Sequence, residues 1–289
     1  DTSFGPVLQL GSQVLQASAA SDPRYARWRE EGYTDEMVLY EYVREAYQRR
    51  VFVGTSMFYY FHGGLLDLSE KHNSWDPHLK RPLREYTQEA LAKGWALVAP
   101  QPGKDPRILF NIGGNFARRV RGTQVVLRTL LPKLRLLVCI DFRMTSTVML
   151  ADIVLPAAGW YEKHSICFLH VTHSPYLHVS NKAMEPLWES KSEWEIWCLL
   201  AETIQRRAQE RGIHTYKDAS GNEKRLDNIY DRVTMNGFYS AEDDEAAARD
   251  TFLNTKNVEP MDWAEFKERG FAAFTGVGMH VASVGNSCD

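Results

Sequence analysis

Apolar positions fall along this chain in runs that suit a sheet interior, separated by polar turns. Leu136-Leu137-Val138-Cys139-Ile140 is continuous, which predicts a strand buried on both faces, and it ends on a carboxylate, Asp141. A hydroxyl-rich turn, Thr145-Ser146-Thr147, leads to a second short run, Ile153-Val154-Leu155, stopped by Pro156. Upstream, Arg107–Phe110 reads as a strand and Thr123–Leu131 as a short helix ended by Pro132. Strand, helix, strand and strand in that order predict an α/β fold with a mainly parallel sheet and flanking helices.

Helical periodicity appears on both sides of this region. Asp35 is placed to cap a helix over Glu36–Arg50, where Met37, Tyr40, Val43 and Tyr47 recur at helical spacing. Pro82–Lys93 reads as a helix with Gly94 as its stop, and Ser192–Arg211 as the longest helix, capped by Ser192 with Glu195 three residues on. Ala241–Phe252 reads as an acidic surface helix and Asp262–Arg269 as a short one closed by Gly270. Residues 1–24 suggest loop or broken strand, Asp218–Asn222 a turn, and Gly276-Val277-Gly278 the start of a linker. Tyr59–Asp67, with Gly63-Gly64 inside it, reads as an exposed functional loop, because paired glycines weaken a strand ladder.

Composition narrows the function classes. The 289 residues suffice for one large or two ordinary domains, and 44% apolar with 25% charged content is that of a globular protein. A net charge of −3 without a long basic run gives no footprint for nucleic acid. No window approaches the roughly 18–20 apolar residues of a membrane span. The chain starts without Met and ends at Cys288-Asp289 without a closing element, which suggests an internal fragment of a longer subunit. Cys139, Cys167, Cys198 and Cys288 lie far apart, so no local zinc or iron–sulfur site is built from them; Cys139 and Cys198, in apolar runs, read as buried small hydrophobes. In an exported protein a disulfide is open, but the spacing assigns none. The nine histidines lack metal-site spacing, and no metal ligand is expected here.

An acid at the end of a buried parallel strand lies where open α/β sheets bind ligands, although an isolated one is more often a cap or a solvated loop residue. Here the acid is part of a longer pattern. Asp141-x-x-x-Thr145-x-Thr147, then Ala151-Asp152-Ile153-Val154-Leu155-Pro156-Ala157 and Glu162-Lys163, then Glu185-Pro186 and Lys191-Ser192-Glu193-Trp194-Glu195-Ile196, follow one another in order. Together with Asn111-Ile112-Gly113-Gly114-Asn115 after the upstream strand, they closely resemble the molybdopterin-guanine-dinucleotide domain of the dimethyl-sulfoxide-reductase superfamily. The resemblance is dense over roughly residues 105–205 and implies a Rossmann-like sheet in a catalytic subunit. Within the superfamily, Asn115–Gly122 looks most like the branch of ethylbenzene and steroid side-chain dehydrogenases and of nitrate, selenate and perchlorate reductases.

The resemblance implies site residues. Gly113 lies where backbone can approach a ligand closely, an ordinary turn being the alternative; Asn115, Asp141, Lys163 and Glu193 match contacts to the dinucleotide, and Thr145 and Thr147 are placed to donate hydroxyls to the same region. Asp152 either holds its turn or touches the ligand, and Arg118, Arg119 and Arg121 either solvate a helix entry or neutralise a pyrophosphate. His62, Lys80 and Arg81 are candidates for lining a substrate funnel, with plain surface charge as the alternative for the last two. Two departures stand out: Ser165 replaces a family glycine, and Glu193 replaces an aspartate, moving its carboxylate by about 1.5 Å.

The implied organisation is a partial domain over 1–100 with substrate-funnel loops, a dinucleotide-binding α/β domain over 101–211, and an insertion and linker over 212–289. The implied cofactors are molybdenum bis(molybdopterin guanine dinucleotide) and a 4Fe-4S cluster held outside this chain. The implied function is oxygen-atom transfer or water-dependent hydroxylation of a hydrocarbon or steroid, with oxyanion reduction or a pterin-free electron-transfer scaffold as alternatives. A lone nucleotide-binding module is disfavoured by the absence of a phosphate loop. Implied partners are a small-molecule substrate and an iron–sulfur electron-transfer subunit, with a haem subunit as an optional third. By resemblance alone the expected location is the periplasm, the alternative being the cytoplasmic face of a membrane.

Overall fold

The structure, a computed structural model, describes residues 24–33, 38, 55–71, 78–94, 98–167, 176–217, 223–254 and 258–273. Outside them lie the N-terminal segment up to residue 23, all of the Glu36–Arg50 helix except Val38, the Asp218–Asn222 turn, the Gly276–Gly278 linker, His170, His173 and Cys288. In chain order the elements begin with α1 (Tyr25–Glu30), α2 (Thr55–His62), α3 (Leu65–Lys71), α4 (Leu83–Ala92) and β1 (Ile108–Ile112). There follow α5 (Phe116–Arg119), α6 (Thr123–Leu130), β2 (Leu136–Asp141), β3 (Ile153–Pro156), β4 (Ser165–Cys167) and β5 (Tyr176–Ser180). The remainder is α7 (Glu193–Glu210), β6 (Thr215–Lys217), β7 (Glu223–Arg225), α8 (Ile229–Val233), α9 (Asp244–Leu253), α10 (Trp263–Arg269) and β8 (Phe271–Ala273).

The chain divides into two compact units. One comprises residues 48–157 and 188–233, the other residues 1–47, 158–187 and 234–289.

In the first unit, β1, β2 and β3 form a three-stranded parallel sheet in that order, with Phe110 opposite Val138 and Ile140 opposite Leu155. The continuous apolar run is the central strand, buried from Leu137 through Asp141 as its pattern predicts. Alternate side chains serve opposite faces. Leu137 and Cys139 pack with Val148, Leu109, Leu131 and Leu134, whereas Ile140 packs with Leu155, Ala157, Ile196 and Leu200. Removing such side chains from water contributes about 1.5–3 kcal/mol each.

α7 covers that second face, and its start is set by chemistry local to the sequence. Ser192 accepts a hydrogen bond from the Glu195 N–H at 3.2 Å, and Ile196 one turn on reaches the sheet. The backbone beside the cap is tied to the sheet through Lys191 N–H to the Pro156 carbonyl at 3.1 Å. Asp152 Oδ2 accepts from the Leu137 N–H at 2.7 Å while its own N–H donates to the Leu137 carbonyl at 2.9 Å. Asp152 therefore holds its turn, fixing the entry to β3 against β2.

Tyr59–Asp67 is not an exposed loop. It spans α2, a two-glycine break and the start of α3, with His62 and Leu66 buried. A Cβ on Gly63 would come within 2.8 Å of the Tyr59 carbonyl and 3.3 Å of Val126, and Gly64, at φ +76°, would meet Thr129 Oγ1 at 2.7 Å. The glycines permit a tight interhelical turn against α6, a reason that ladder-based reasoning overlooks.

In the second unit, β4, β5 and β8 form an antiparallel sheet with β5 central. Its core is Leu177, Phe252, Val258, Phe266 and Ala272, with the Phe252 and Phe266 rings stacked at 3.9 Å. α9 begins three residues later than its pattern suggests, where Asp243 caps Ala246 N–H; α10 begins at the Asp262 cap and stops at left-handed Gly270.

Candidate functional site

The turn after β1 is built by side chains as well as glycines. Gly113 adopts φ +59°, with no atom within 4 Å of where its Cβ would lie, and its N–H donates to the Ile140 carbonyl at 2.9 Å. That bond ties the turn to the residue before Asp141. Asn111 closes the turn by donating Nδ2–H to the Gly114 carbonyl at 2.6 Å. In the sequence Asn111 falls in the predicted turn without a role, and its signal is an amide two residues before a Gly-Gly pair.

Asn115 follows, at the cap of α5. Its backbone carbonyl accepts from Arg118 and Arg119 N–H groups, and its side-chain Oδ1 accepts from the Thr147 hydroxyl at 3.1 Å. Its Nδ2 has no hydrogen-bond partner among the described residues. Thr147 is fully buried, and its Oγ1 also accepts from the Ala117 N–H at 3.0 Å. The hydroxyl is thus occupied within the protein on both sides. Thr145 is likewise engaged locally, accepting from the Val148 N–H at 3.3 Å.

Asp141 terminates β2 at 7% exposure. One carboxylate oxygen accepts from the Arg143 N–H at 3.1 Å, and Oδ2 has no partner among the described residues. Glu193 is the first residue of α7, half-buried, beside the end of β3 through the Lys191–Pro156 bond. Gly113, Asn115, Asp141, Thr147 and Glu193 therefore all lie at the carboxyl ends of β1–β3 in one unit, the end at which open parallel sheets bind ligands.

Lys163 belongs to the second unit, 6% exposed, with its ammonium 5.4 Å from the centre of the Trp160 ring. His62 is 2% exposed and hydrogen-bonds through Nε2 to the Pro100 carbonyl at 2.8 Å. Lys80 and Arg81 are exposed at a cleft of about 490 Å³ shared with Glu70, Leu79 and Pro82, and Arg81 pairs with Glu89 and lies over Tyr86. Arg118, Arg119 and Arg121 face solvent.

This arrangement suits binding rather than bond-making. It offers a free amide donor, a free carboxylate acceptor and open backbone at Gly113. The two buried thiols, Cys139 and Cys198, are pushed up in pKa by burial, away from nucleophilic use. No group of three metal-ligating side chains occurs among the described residues.

Residues 80–203 match the molybdopterin oxidoreductase family model. The chain is 35% identical over 167 residues to the perchlorate reductase alpha subunit of Dechloromonas aromatica, covering 57% of this chain and 18% of that one. It is 38% identical over 185 residues to the respiratory nitrate reductase alpha subunit of Haloferax mediterranei, covering 62% and 18%. With the chlorate reductase alpha subunit of Ideonella dechloratans it shares 36% over 189 residues, covering 64% and 20%. The chain thus spans about a fifth of the length of the curated relatives it matches. Residues 80–203 are thus similar to a molybdopterin oxidoreductase domain, and the relatives matched are alpha subunits of perchlorate, nitrate and chlorate reductases.

Proposed function

We propose that this chain is the nucleotide-binding portion of a molybdenum oxidoreductase catalytic subunit, and that its three parallel strands belong to a Rossmann-like sheet clasping one molybdopterin guanine dinucleotide. The observation that carries the reading is the pair of unpartnered polar atoms, Asn115 Nδ2 and Asp141 Oδ2, at the carboxyl ends of adjacent parallel strands. A guanosine nucleotide has what each lacks. Its ribose hydroxyls and guanine N–H groups suit the carboxylate, and its phosphate or carbonyl oxygens suit the amide donor. Gly113 allows the ligand to approach backbone, and Glu193 adds a second carboxylate at the same end. Lys163, in the other unit, is not part of this assignment.

When bound, the cofactor supplies the oxygen-atom transfer; the residues here bind and orient it. Oxyanion reduction is the leading substrate class, because the perchlorate, nitrate and chlorate reductases match over more than half of this chain. Hydroxylation of a hydrocarbon or steroid is the same transfer in the opposite direction, and stands second. The complete enzyme, in this reading, carries two dinucleotides on its metal and a 4Fe-4S cluster. It passes electrons through an iron–sulfur subunit and works in the periplasm.

The test uses the intact protein purified from its source. About one molybdenum and two guanosine monophosphates released by acid hydrolysis per chain support the reading, with both nucleotides reduced in Asn115→Ala or Asp141→Ala protein only if dinucleotide retention is cooperative and one otherwise. Guanosine nucleotide content unchanged in both variants, or absent from fully matured protein, overturns it.

A further inference from the structure

We propose that Thr147 is a positioning residue: it turns the Asn115 carboxamide so that its NH₂ group faces the ligand, selecting a hydrogen-bond acceptor on the guanosine nucleotide. The inference rests on the assignment of Asn115 to the nucleotide, and adds which way the amide faces and what holds it there.

A threonine hydroxyl has one proton to give and lone pairs to receive. The Ala117 N–H can only donate, and it points at Thr147 Oγ1 over 3.0 Å. Thr147 is fully buried, so its own proton has no solvent to turn to. The acceptor it meets is Asn115 Oδ1 at 3.1 Å. A flipped amide would set Nδ2 against Oγ1, leaving the buried hydroxyl proton without a partner and Oδ1 facing out. The observed orientation satisfies all three groups and leaves only Nδ2 unpartnered among the described residues. One hydroxyl thereby joins the first turn of α5 to the residue that caps it, so the amide is set by the same contact that sets the helix start.

The test is calorimetric titration of the intact protein, prepared without cofactor, with GDP. Thr147→Val removes the hydroxyl at nearly constant volume and is expected to weaken GDP binding about tenfold, the loss of one well-oriented hydrogen bond. Thr147→Ser is expected to restore the affinity. In an Asn115→Ala background, Thr147→Val is expected to have no further effect, because the hydroxyl acts through the amide. Asn115→Asp, which puts an acceptor where the donor was, is expected to bind as weakly as Asn115→Ala.

Equal weakening by Thr147→Val with and without Asn115, or none at all while Asn115→Ala weakens binding, overturns the positioning role alone. GDP binding by Asn115→Asp as tight as by the unsubstituted protein overturns the amide orientation. No GDP binding by the unsubstituted protein, or none lost in Asn115→Ala, overturns the assignment beneath it as well. Thr147→Cys, with a weak donor of similar size, carries the same comparison if the valine variant does not fold.

Discussion

Asp152 separates a structural acid from a binding one, and its replacement has a calculable cost. Its carboxylate receives the Leu137 N–H at 2.7 Å, and Leu137 is 2% exposed at the start of the central strand. Asp152→Ala leaves that N–H without its acceptor. A hydrogen bond to a charged group contributes about 1.5–3 kcal/mol, and an unsatisfied buried donor costs about 1–3 kcal/mol. Asp152 itself is exposed, so water entering the gap offsets part of the loss, and about 1–2 kcal/mol is expected. Asp152→Asn keeps a carbonyl acceptor and should lose well under half of that. Urea unfolding followed by circular dichroism reads the midpoints at constant slope, while GDP titration on the same proteins reads the site. Unchanged stability in Asp152→Ala, or a loss of GDP affinity with stability intact, would refute the structural role and return Asp152 to the ligand contacts.

Ile196→Ala should destabilise by about 2–5 kcal/mol, since Ile196 joins α7 to Ile140 and Ala157 in the sheet core; urea midpoints check this. Gly64→Ala is expected to cost more than about 1 kcal/mol, because φ is +76° and the added methyl meets Thr129 Oγ1 at 2.7 Å, read as a fall in melting temperature. The Arg225 guanidinium, and after it His214, hold the Asp227 carboxyl down to about 2, below its ordinary 3.8. The stabilisation is therefore complete above pH 3.8 and lost as pH falls toward 2. An acid titration should show Asp227→Asn removing that part of the pH dependence; an unaltered acid limb would refute the pairing.

What the sequence disclosed, it disclosed through local signals. A run of apolar residues from Leu136 to Ile140 can only be buried on both faces, and Ser192-x-x-Glu195 and Asp262 with Gly270 announce helix ends within a few residues. The turn at Gly113 and the carboxylate of Asp141 were legible for the same reason. Features that depend on distant partners were not. Gly63 and Gly64 make sense only against Val125, Val126 and Thr129 of α6. The three-residue strands β4 and β8 are too short to show a period, and exist because β5 pairs with both. Thr147 presented itself as a hydroxyl available to a ligand. Only its burial and the Ala117 N–H reveal that the hydroxyl is engaged inside the protein.

The unit holding the parallel sheet is discontinuous: one segment ends at residue 157, just past β3, and the next, from residue 188, carries the covering helix α7. On the ribosome, Ile140 and Leu155 therefore emerge ahead of Ile196 and Leu200, their partners in the finished core. Their separations run from about 40 to about 60 residues, a delay of roughly 2–12 s at ordinary rates of synthesis. For that interval one face of the sheet is an adhesive surface without a lid. An uncovered apolar sheet face is prone to aggregate, so protection of the nascent chain matters until α7 has been made.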